Sequence, residues 1–527
     1  MRETARWEED PEAAEGNLVE REILTDLVER SRAATPDGSP ELDALAAELA
    51  GLRQYDGRGT FDVEQRLDAA ARSLRQALLV RAHRSTDRCF RSPEHEHRTR
   101  LPSGATTKYS YERSADLAWL EERIGRSAPP APPGWQTRHV AFGSGAAAIS
   151  GVLQSYLRMI PATGDRPLCA GVWGSYFETD MIFDFRRSPL FSWESVDDLG
   201  AAVDSGRFDL LHIEPARYNW DLDTMDVRDF LARWRAHRTG NTRCLVFDTT
   251  LSSFTWPTRS VLNGLRDGRP LLVVEVRSGL KLDQQGLELA NLGVVSVHSC
   301  DEDAGTPTAA QFADYLRMGR AVTGTSVPMD SAAAIDVPLV LDAQLTRRHA
   351  GQVFLNNQRL ARALAEEDGL FSAIGHPSLA AASAAARGGS APVLTHAPFV
   401  VCRLAEDEVA HHGFLLAVAR EEAARLGILL NWGSSFGFRG HRCETILPRL
   451  KDRKGLFKIA MGARSGPSSL ATVDLFRKLA RFRDFASLKA AYPHVANIDL
   501  TKYQDPVSRG AAETSHDSGS EPEKVRV

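Results

Sequence analysis

Cysteine is scarce in this 527-residue sequence: Cys89, Cys169, Cys244, Cys300, Cys402 and Cys443 lie tens of residues apart, with no C-x-x-C pair. That spacing suits neither a disulfide framework nor a zinc site, so the thiols are read as reduced and mostly buried. Positive charge is not in excess either. Sixty-four Lys and Arg face 69 Asp and Glu, a formal net charge of -5, which leaves no basic field for nucleic acid or an anionic membrane. No apolar run approaches the ~18 residues of a membrane span. The opening MRETARWEEDPEAAEG is acidic where a secretory signal would be basic and then apolar. These absences give the expectation of a cytoplasmic protein with no metal, nucleic-acid or membrane partner.

Lysine is the most informative shortage. Nine lysines stand against 55 arginines, and between Lys108 and Lys451 there is one alone, Lys281. A guanidinium stays protonated and cannot form a Schiff base, whereas an amine can. A lone lysine in an arginine-rich chain therefore marks either chance or a requirement for a primary amine.

Residues 1–95 are rich in Glu, Arg and Ala, with helical spacing at Leu42, Leu45, Leu49 and Leu52 and again from Val63 to Val80, and read as a helical N-terminal extension. Beyond the proline-rich connector Ser127–Pro133, short apolar runs (HVAF, PLCAGVW, FDLLHIEP, CLVFDTT, PLLVVEV, LGVVSV) alternate with amphipathic ones. That alternation predicts an α/β domain, 96–328, built on a mostly parallel sheet covered on both faces. Residues 329–500 predict a smaller α+β domain. The tail 501–527 has almost no apolar content and reads as disordered.

Three segments carry chemistry. His139-Val-Ala-Phe-Gly-Ser-Gly-Ala-Ala-Ala148 reads as a strand, a small-residue turn and a helix, placing Gly143, Ser144, Gly145 and Ala146 where backbone N–H groups and the helix dipole favour a phosphate. The alternative is a turn that simply lets helix and strand pack closely. It is neither G-x-G-x-x-G nor a P-loop. Cys244-Leu-Val-Phe-Asp-Thr-Thr250 puts Asp248 at the end of an apolar strand, where α/β folds bind ligands; the carboxylate either faces a cationic ring nitrogen or caps the next helix. Val273-Val-Glu-Val-Arg-Ser-Gly-Leu-Lys281 brings Ser278 and the solitary lysine to the end of another strand. Apolar flanks there lower an amine's pKa and make it nucleophilic toward carbonyls, a surface ion pair being the alternative. Phosphate cradle, ring-nitrogen carboxylate and Schiff-base lysine together are what pyridoxal phosphate requires.

With these parts in place, the sequence from Tyr109 to Phe485 resembles fold-type I pyridoxal-phosphate enzymes, most nearly the cystathionine-synthase-like group of Cys/Met metabolism. Gly143-Ser-Gly-Ala-Ala-Ala-Ile149 is similar to that group's phosphate turn S-G-M-A-A-I. Val172-Trp-Gly-Ser-Tyr176 is similar to Y-G-G-T, which implies Trp173 as the residue stacking on the cofactor ring. Glu214-Pro-Ala-Arg-Tyr-Asn219 resembles a stretched E-x-P-x-N and implies that Asn219 faces the cofactor's phenolic oxygen. Asp248 and Thr250, then Ser278 and Lys281, match the aspartate strand and the S-x-[ST]-K tract, with Leu280 in place of the second hydroxyl. Thr346-Arg-Arg-His and Asn356-Asn357 resemble the helix that joins the two domains. Tyr111-Glu-Arg113 resembles the Y-x-R that reaches the phosphate of a neighbouring subunit, which implies a homodimer or higher oligomer. Ser435-Phe-Gly-Phe438 resembles the S-L-G-G that helps hold the substrate carboxylate. The carboxylate-binding arginine is replaced by Lys458 in Lys458-Ile-Ala-Met-Gly462, leaving Lys458, Arg464, Arg439 and Arg442 as the cationic candidates.

The resemblance implies elimination or replacement at the β or γ carbon of an amino-acid substrate, in specialised metabolism and with S-adenosylmethionine as one possible γ-substrate. An aminotransferase shares the lysine, aspartate and turn. A binding or regulatory protein on the same fold, with the N-terminal helices docking a partner, is the reading from another class. His411-His412 reads as a solvated helix face, and His95-Glu-His97 as no more than a weak metal site.

Overall fold

The computed structural model describes residues 2–500 apart from 36, 94–96, 161–165, 175, 238–240, 267–270, 301–305, 387–393 and 447–454. The proposed disordered tail 501–527 and His95 lie outside the described residues. Helices α1 (Arg2–Glu8), α2 (Pro11–Ala33), α3 (Pro40–Gly51) and α4 (Phe61–Thr86) form the N-terminal part. Each of the last three begins at a side-chain cap, Asp10, Ser39 or Thr60, and Pro11 and Pro40 occupy first-turn positions whose N–H has no intrahelical acceptor anyway. Leu42, Leu45 and Leu49 of α3 and Leu67, Leu74 and Leu78 of α4 are buried, in one core with Met329, Ile335, Leu339 and Leu345. The predicted helical extension is thus an integral layer packed on the rest of the chain.

A hairpin of β1 (His97–Arg100) and β2 (Thr106–Tyr109) and helix α5 (Ala118–Ser127) lead into the large sheet. Its strands are β3 (Trp135–Phe142), β4 (Leu168–Trp173), β5 (Phe191–Ser195), β6 (Leu210–Ile213), β7 (Cys244–Asp248), β8 (Leu272–Ser278) and β9 (Gly293–Cys300). They lie in the order β3-β9-β8-β7-β6-β4-β5. β9 runs antiparallel to both its neighbours and the other pairings are parallel. Alternate residues enter two cores. Val246, Val274, Val276 and Phe142 pack on one face with helix α6 (Gly145–Met159), while Leu245, Phe247, Val273 and Ile213 pack on the other. The carboxyl ends of β3, β4, β6, β7 and β8 share one edge, which is where open α/β sheets bind ligands.

The helix Ala343–Ala365 leads to a second sheet, β10 (Phe371–Gly375), β11 (Val400–Leu404), β12 (Leu430–Trp432), β13 (His441–Ile446) and β14 (Leu456–Ala460), ordered β10-β11-β14-β13-β12. Phe457 and Ile459 turn to a core with Leu364, Leu475 and Phe476. Leu456 and Ala460 turn the opposite way, joining Ala216, Leu222 and Leu251 of the large domain. Lys458, midway between them, shares that face by the two-residue period of a strand.

All six cysteines are free; Cys244, Cys402 and Cys443 are buried and the other three are half-buried. The adjacent histidines depart from the expected solvated face. His412 is fully buried and hydrogen-bonded to Asp407 at 2.7 Å, and His411 stacks on Phe485 with centroids 4.0 Å apart. Asp407 and Phe485 lie off the helix, which is why its own periodicity did not show them.

Candidate active site

The turn after β3 is close-packed. Gly143 N–H donates to the Thr325 carbonyl at 2.8 Å, and Ser144 Oγ caps the helix by accepting from Ala147 N at 3.1 Å. Of the N–H groups expected to be free for phosphate, that of Gly143 is therefore engaged. Gly145 and Ala146 fill the first two helical positions, which have no intrahelical acceptor. A Cβ on Gly145 would lie 3.1 Å from the Ser278 Cβ, so glycine is what lets this helix end approach the end of β8. The Gly-Ser-Gly segment packs closely at Gly143 and brings a helix N-terminus against Ser278 at Gly145.

Asp248 ends β7, and its Oδ1 accepts the Thr250 N–H at 3.0 Å. The Thr250 hydroxyl in turn accepts the Ser278 N–H at 3.0 Å. This chain of bonds ties the carboxylate, Thr250 and the serine at the end of β8 into one rigid unit. Burial raises the Asp248 pKa against the opposing hydrogen bonds from Thr250. A half-buried carboxylate of this kind is stabilised by a cationic partner.

Lys281 donates its Nζ proton to Ser435 Oγ and lies 5.5 Å from the centroid of Phe436. Burial and the neighbouring Lys458 charge lower its pKa, opposed by Glu178, Glu444 and Glu288. The Ser435–Gly437 segment that reaches it is held in unusual backbone geometry, with φ 80° at the non-glycine Ser435 and 78° at Gly437. A Cβ on Gly437 would meet the Lys281 carbonyl oxygen at 2.7 Å. His349 Nε2, on the helix joining the domains, donates to the Gly437 carbonyl at 2.8 Å. On the same helix Asn356 donates to the carbonyls of Gly462 and Arg464 at 2.7 and 2.8 Å.

The cationic candidates are all engaged within the protein. Lys458, 2% exposed, is ion-paired with Glu444 and donates to the Tyr218 hydroxyl at 3.0 Å. Burial lowers its pKa, opposed by Glu444. Its Nζ lies 5.1 Å from the Phe399 ring and 5.9 Å from Phe436. Arg439 is clasped by Glu20 of α2, at 2.8 Å from Nε, and Arg464 by Asp68 of α4. Arg442 pairs with Glu288 at 2.6 Å and covers the Phe438 ring at 3.9 Å. Of the four, Lys458 stands closest to the Lys281 environment, and the N-terminal acids take Arg439 and Arg464.

Two of the expected cofactor residues have other partners in the structure. Trp173, 6% exposed, packs with Phe230, Leu199 and Met225 under the Arg217 guanidinium. It belongs to the sheet face opposite that of Val246 and Val276, whose alternation carries Asp248 and Ser278, and so it does not reach them. Asn219 closes its own loop: Nδ2 donates to Asp223 at 2.9 Å, and Oδ1 accepts the Asp221 and Asp223 N–H groups at 3.3 and 3.2 Å. An aromatic residue whose phenol senses Asp248 is Tyr176. Its ring meets that of Tyr218 at 5.8 Å, and its phenol, with its pKa raised by burial first, also senses Glu178 and Asp248. The fully buried Glu214 orients both tyrosines, accepting the N–H of Tyr176 and of Tyr218 at 3.0 Å each. The available signal was an aromatic three residues past Trp173, beyond the strand and free of its alternation. Tyr111, 46% exposed, and Arg113, at 4.7 Å over its ring, sit on the surface. No group of His, Cys, Asp and Glu among the described residues could hold a metal.

No protein-family model and no curated protein matches the sequence. Solved structures do match. Cystathionine gamma-lyase from yeast aligns at 16% identity over 76% of this chain and 98% of its own, with a TM-score of 0.50. The metB protein from Corynebacterium glutamicum aligns at 15% identity over 76% and 98%, with a TM-score of 0.52. Methionine gamma lyase CalE6 from Micromonospora echinospora, at 19% identity over 71% and 88%, has a TM-score of 0.49. The strand order, the single antiparallel strand and the second small sheet, together with the two alignments that span nearly the whole of the yeast and Corynebacterium structures, establish the fold-type I architecture for this chain.

Proposed function

We propose that this chain is a pyridoxal-phosphate-dependent enzyme acting on an amino-acid substrate by elimination or replacement at the β or γ carbon. The observation that carries the reading is the placement, at the carboxyl edge of one sheet, of a half-buried amine, a half-buried carboxylate and a helix N-terminus beside Ser278. The residues fit the cofactor. Gly145, Ala146 and Ser278 would hold the phosphate. Asp248 would pair with the ring nitrogen, the cation its half-buried carboxylate needs, and Tyr176 would offer the ring a π-face. When bound, pyridoxal phosphate supplies an electron sink for charge developing at the substrate's α carbon.

The chain's own groups would do the rest. The lowered pKa of Lys281 keeps a larger share of its amine unprotonated and able to attack a carbonyl, and once released the same amine can carry protons between neighbouring carbons. Ser435 Oγ accepts the Lys281 proton and fixes its direction. Thr250 locks Asp248 against rotation through the bond to Ser278. Phe399 and Phe436 set apolar rings beside the two lysines, Phe436 near both and Phe399 near Lys458. Tyr111 and Arg113 would serve the phosphate of a second copy, making the working unit a homodimer. A cytoplasmic role in specialised metabolism, with S-adenosylmethionine as one γ-substrate, belongs to the same proposal.

The test is direct. Protein supplied with pyridoxal phosphate should gain absorbance near ~420 nm, and borohydride reduction should fix the label on Lys281. A label on another lysine, or no absorbance, overturns the reading. Thiol or 2-oxo acid released without an acceptor supports elimination, whereas stoichiometric amino transfer to an added 2-oxo acid replaces it with transamination.

A further inference from the structure

The cation that bears on the Lys281 amine is Lys458. Lys458 and Lys281 both lie within 6 Å of the centroid of the Phe436 ring, at 5.9 and 5.5 Å, so the two amines share this aromatic neighbour. Yet the Lys458 amine already has two partners, the Glu444 carboxylate and the Tyr218 hydroxyl. Its three N–H donors leave one at most for a ligand. Glu444 and Lys458 are directly opposite on β13 and β14, so their pairing follows from strand register and does not depend on a flexible loop. Arg439, Arg464 and Arg442 are each held by a carboxylate of their own.

We propose, on the reading given above, that this site selects an α-amino compound whose carbonyl group is uncharged, as in an amide, ester or thioester, over one with a free α-carboxylate. The physical reason is local neutrality. A carboxylate brought to Lys458 meets a cation already compensated by Glu444 and must lie beside that second carboxylate, which repels it in a poorly screened setting. A neutral carbonyl needs only the remaining N–H donor and carries no charge to desolvate among Phe399, Phe436 and Tyr218. A free guanidinium would reverse the preference, because its fork matches a carboxylate bidentately.

The test titrates the cofactor-loaded wild-type protein with L-methionine and L-methioninamide, following the cofactor's absorbance change as the amine binds and correcting each for its fraction of free amine. The amide is expected to bind at least as tightly as the acid. Glu444→Gln, which leaves Lys458 uncompensated, should shift the ratio of dissociation constants toward the acid by tenfold or more. Tighter binding of the acid by wild type overturns the inference, as does a folded Glu444→Gln protein with an unchanged ratio. If that variant does not fold, the wild-type ratio decides alone. Absence of any cofactor absorbance in wild type overturns the cofactor reading and this inference with it, whereas normal absorbance with a preference for the acid overturns the inference only.

Discussion

Replacing Glu20 with alanine is the sharpest test of how the N-terminal helices are attached. Glu20 is buried on α2, bonds Arg439 Nε at 2.8 Å and a second Arg439 nitrogen, and lies 3.8 Å from Arg464 Nε. At an effective dielectric of about 20, charges at this range attract by about 4–6 kcal/mol. That attraction roughly offsets the several kcal/mol needed to dehydrate each ion, so the intact pair adds little net stability. Removing one member leaves the cost without the gain. Glu20→Ala strands the Arg439 charge, with an expected loss of about 3–5 kcal/mol, or roughly two to three and a half powers of ten in the equilibrium for opening that interface. Amide hydrogen exchange should show Pro11–Ala33 and the Ser435–Arg439 segment losing protection together, since Arg439 also holds the Gln285 carbonyl at 3.2 Å. Glu20→Met with Arg439→Met should recover most of the loss, an apolar pair needing no compensation. Unchanged exchange in Glu20→Ala, or loss of protection in α2 alone, would refute the coupling. The pH dependence has a definite sign: the arginines hold the Glu20 pKa below its ordinary value against desolvation. Its contribution is therefore complete above the ordinary carboxylate pKa and disappears as pH falls through the lowered folded value.

Other perturbations give further outcomes. Lys281→Ala and Lys281→Arg should both abolish turnover and the ~420 nm absorbance with circular dichroism unchanged, since neither a methyl group nor a guanidinium forms the imine. Asp248→Asn should retain cofactor binding but slow exchange of the substrate α-proton by several kcal/mol, at about 1.4 kcal/mol per tenfold; deuterium exchange at the wild-type rate would show that Asp248 does not face the ring nitrogen. Tyr176→Ala should weaken cofactor binding, whereas Trp173→Leu should lower thermal stability with little effect on cofactor affinity, and the opposite pattern in equilibrium dialysis would reverse the assignment. Burial raises the Glu64 pKa from 4.5 to about 7. A raised acid pKa means that stability falls as pH rises through that interval and is level above it, so Glu64→Gln should be more stable than wild type at pH ~8 and nearly equal to it at pH ~4 in urea titrations.

The elements legible in the sequence were those whose pattern is local. β4, β6, β7, β8 and β9 are short apolar runs because both their faces are covered, and α3 and α4 show the helical period because one face is buried. Lys281 and Asp248 stood out as candidates because one follows such a run and the other ends one. β13 was not, since His441-Arg-Cys-Glu-Thr-Ile446 mixes charge with apolar residues, and its Glu444 meets its partner Lys458 only across the strand pair. The face on which Trp173 packs was not legible, because a one-residue difference in strand phase sends a side chain to the other face of the sheet. Alternation of strands and helices and the residue types at strand ends are properties of neighbours along the chain and could be read from their order. Only the tertiary structure decided which charges neutralise one another. Glu20 and Arg439, Asp68 and Arg464, and Lys458 and Glu444 are brought together by packing of separate elements, and the strength of an ion pair depends on its distance and burial, which chain order does not specify.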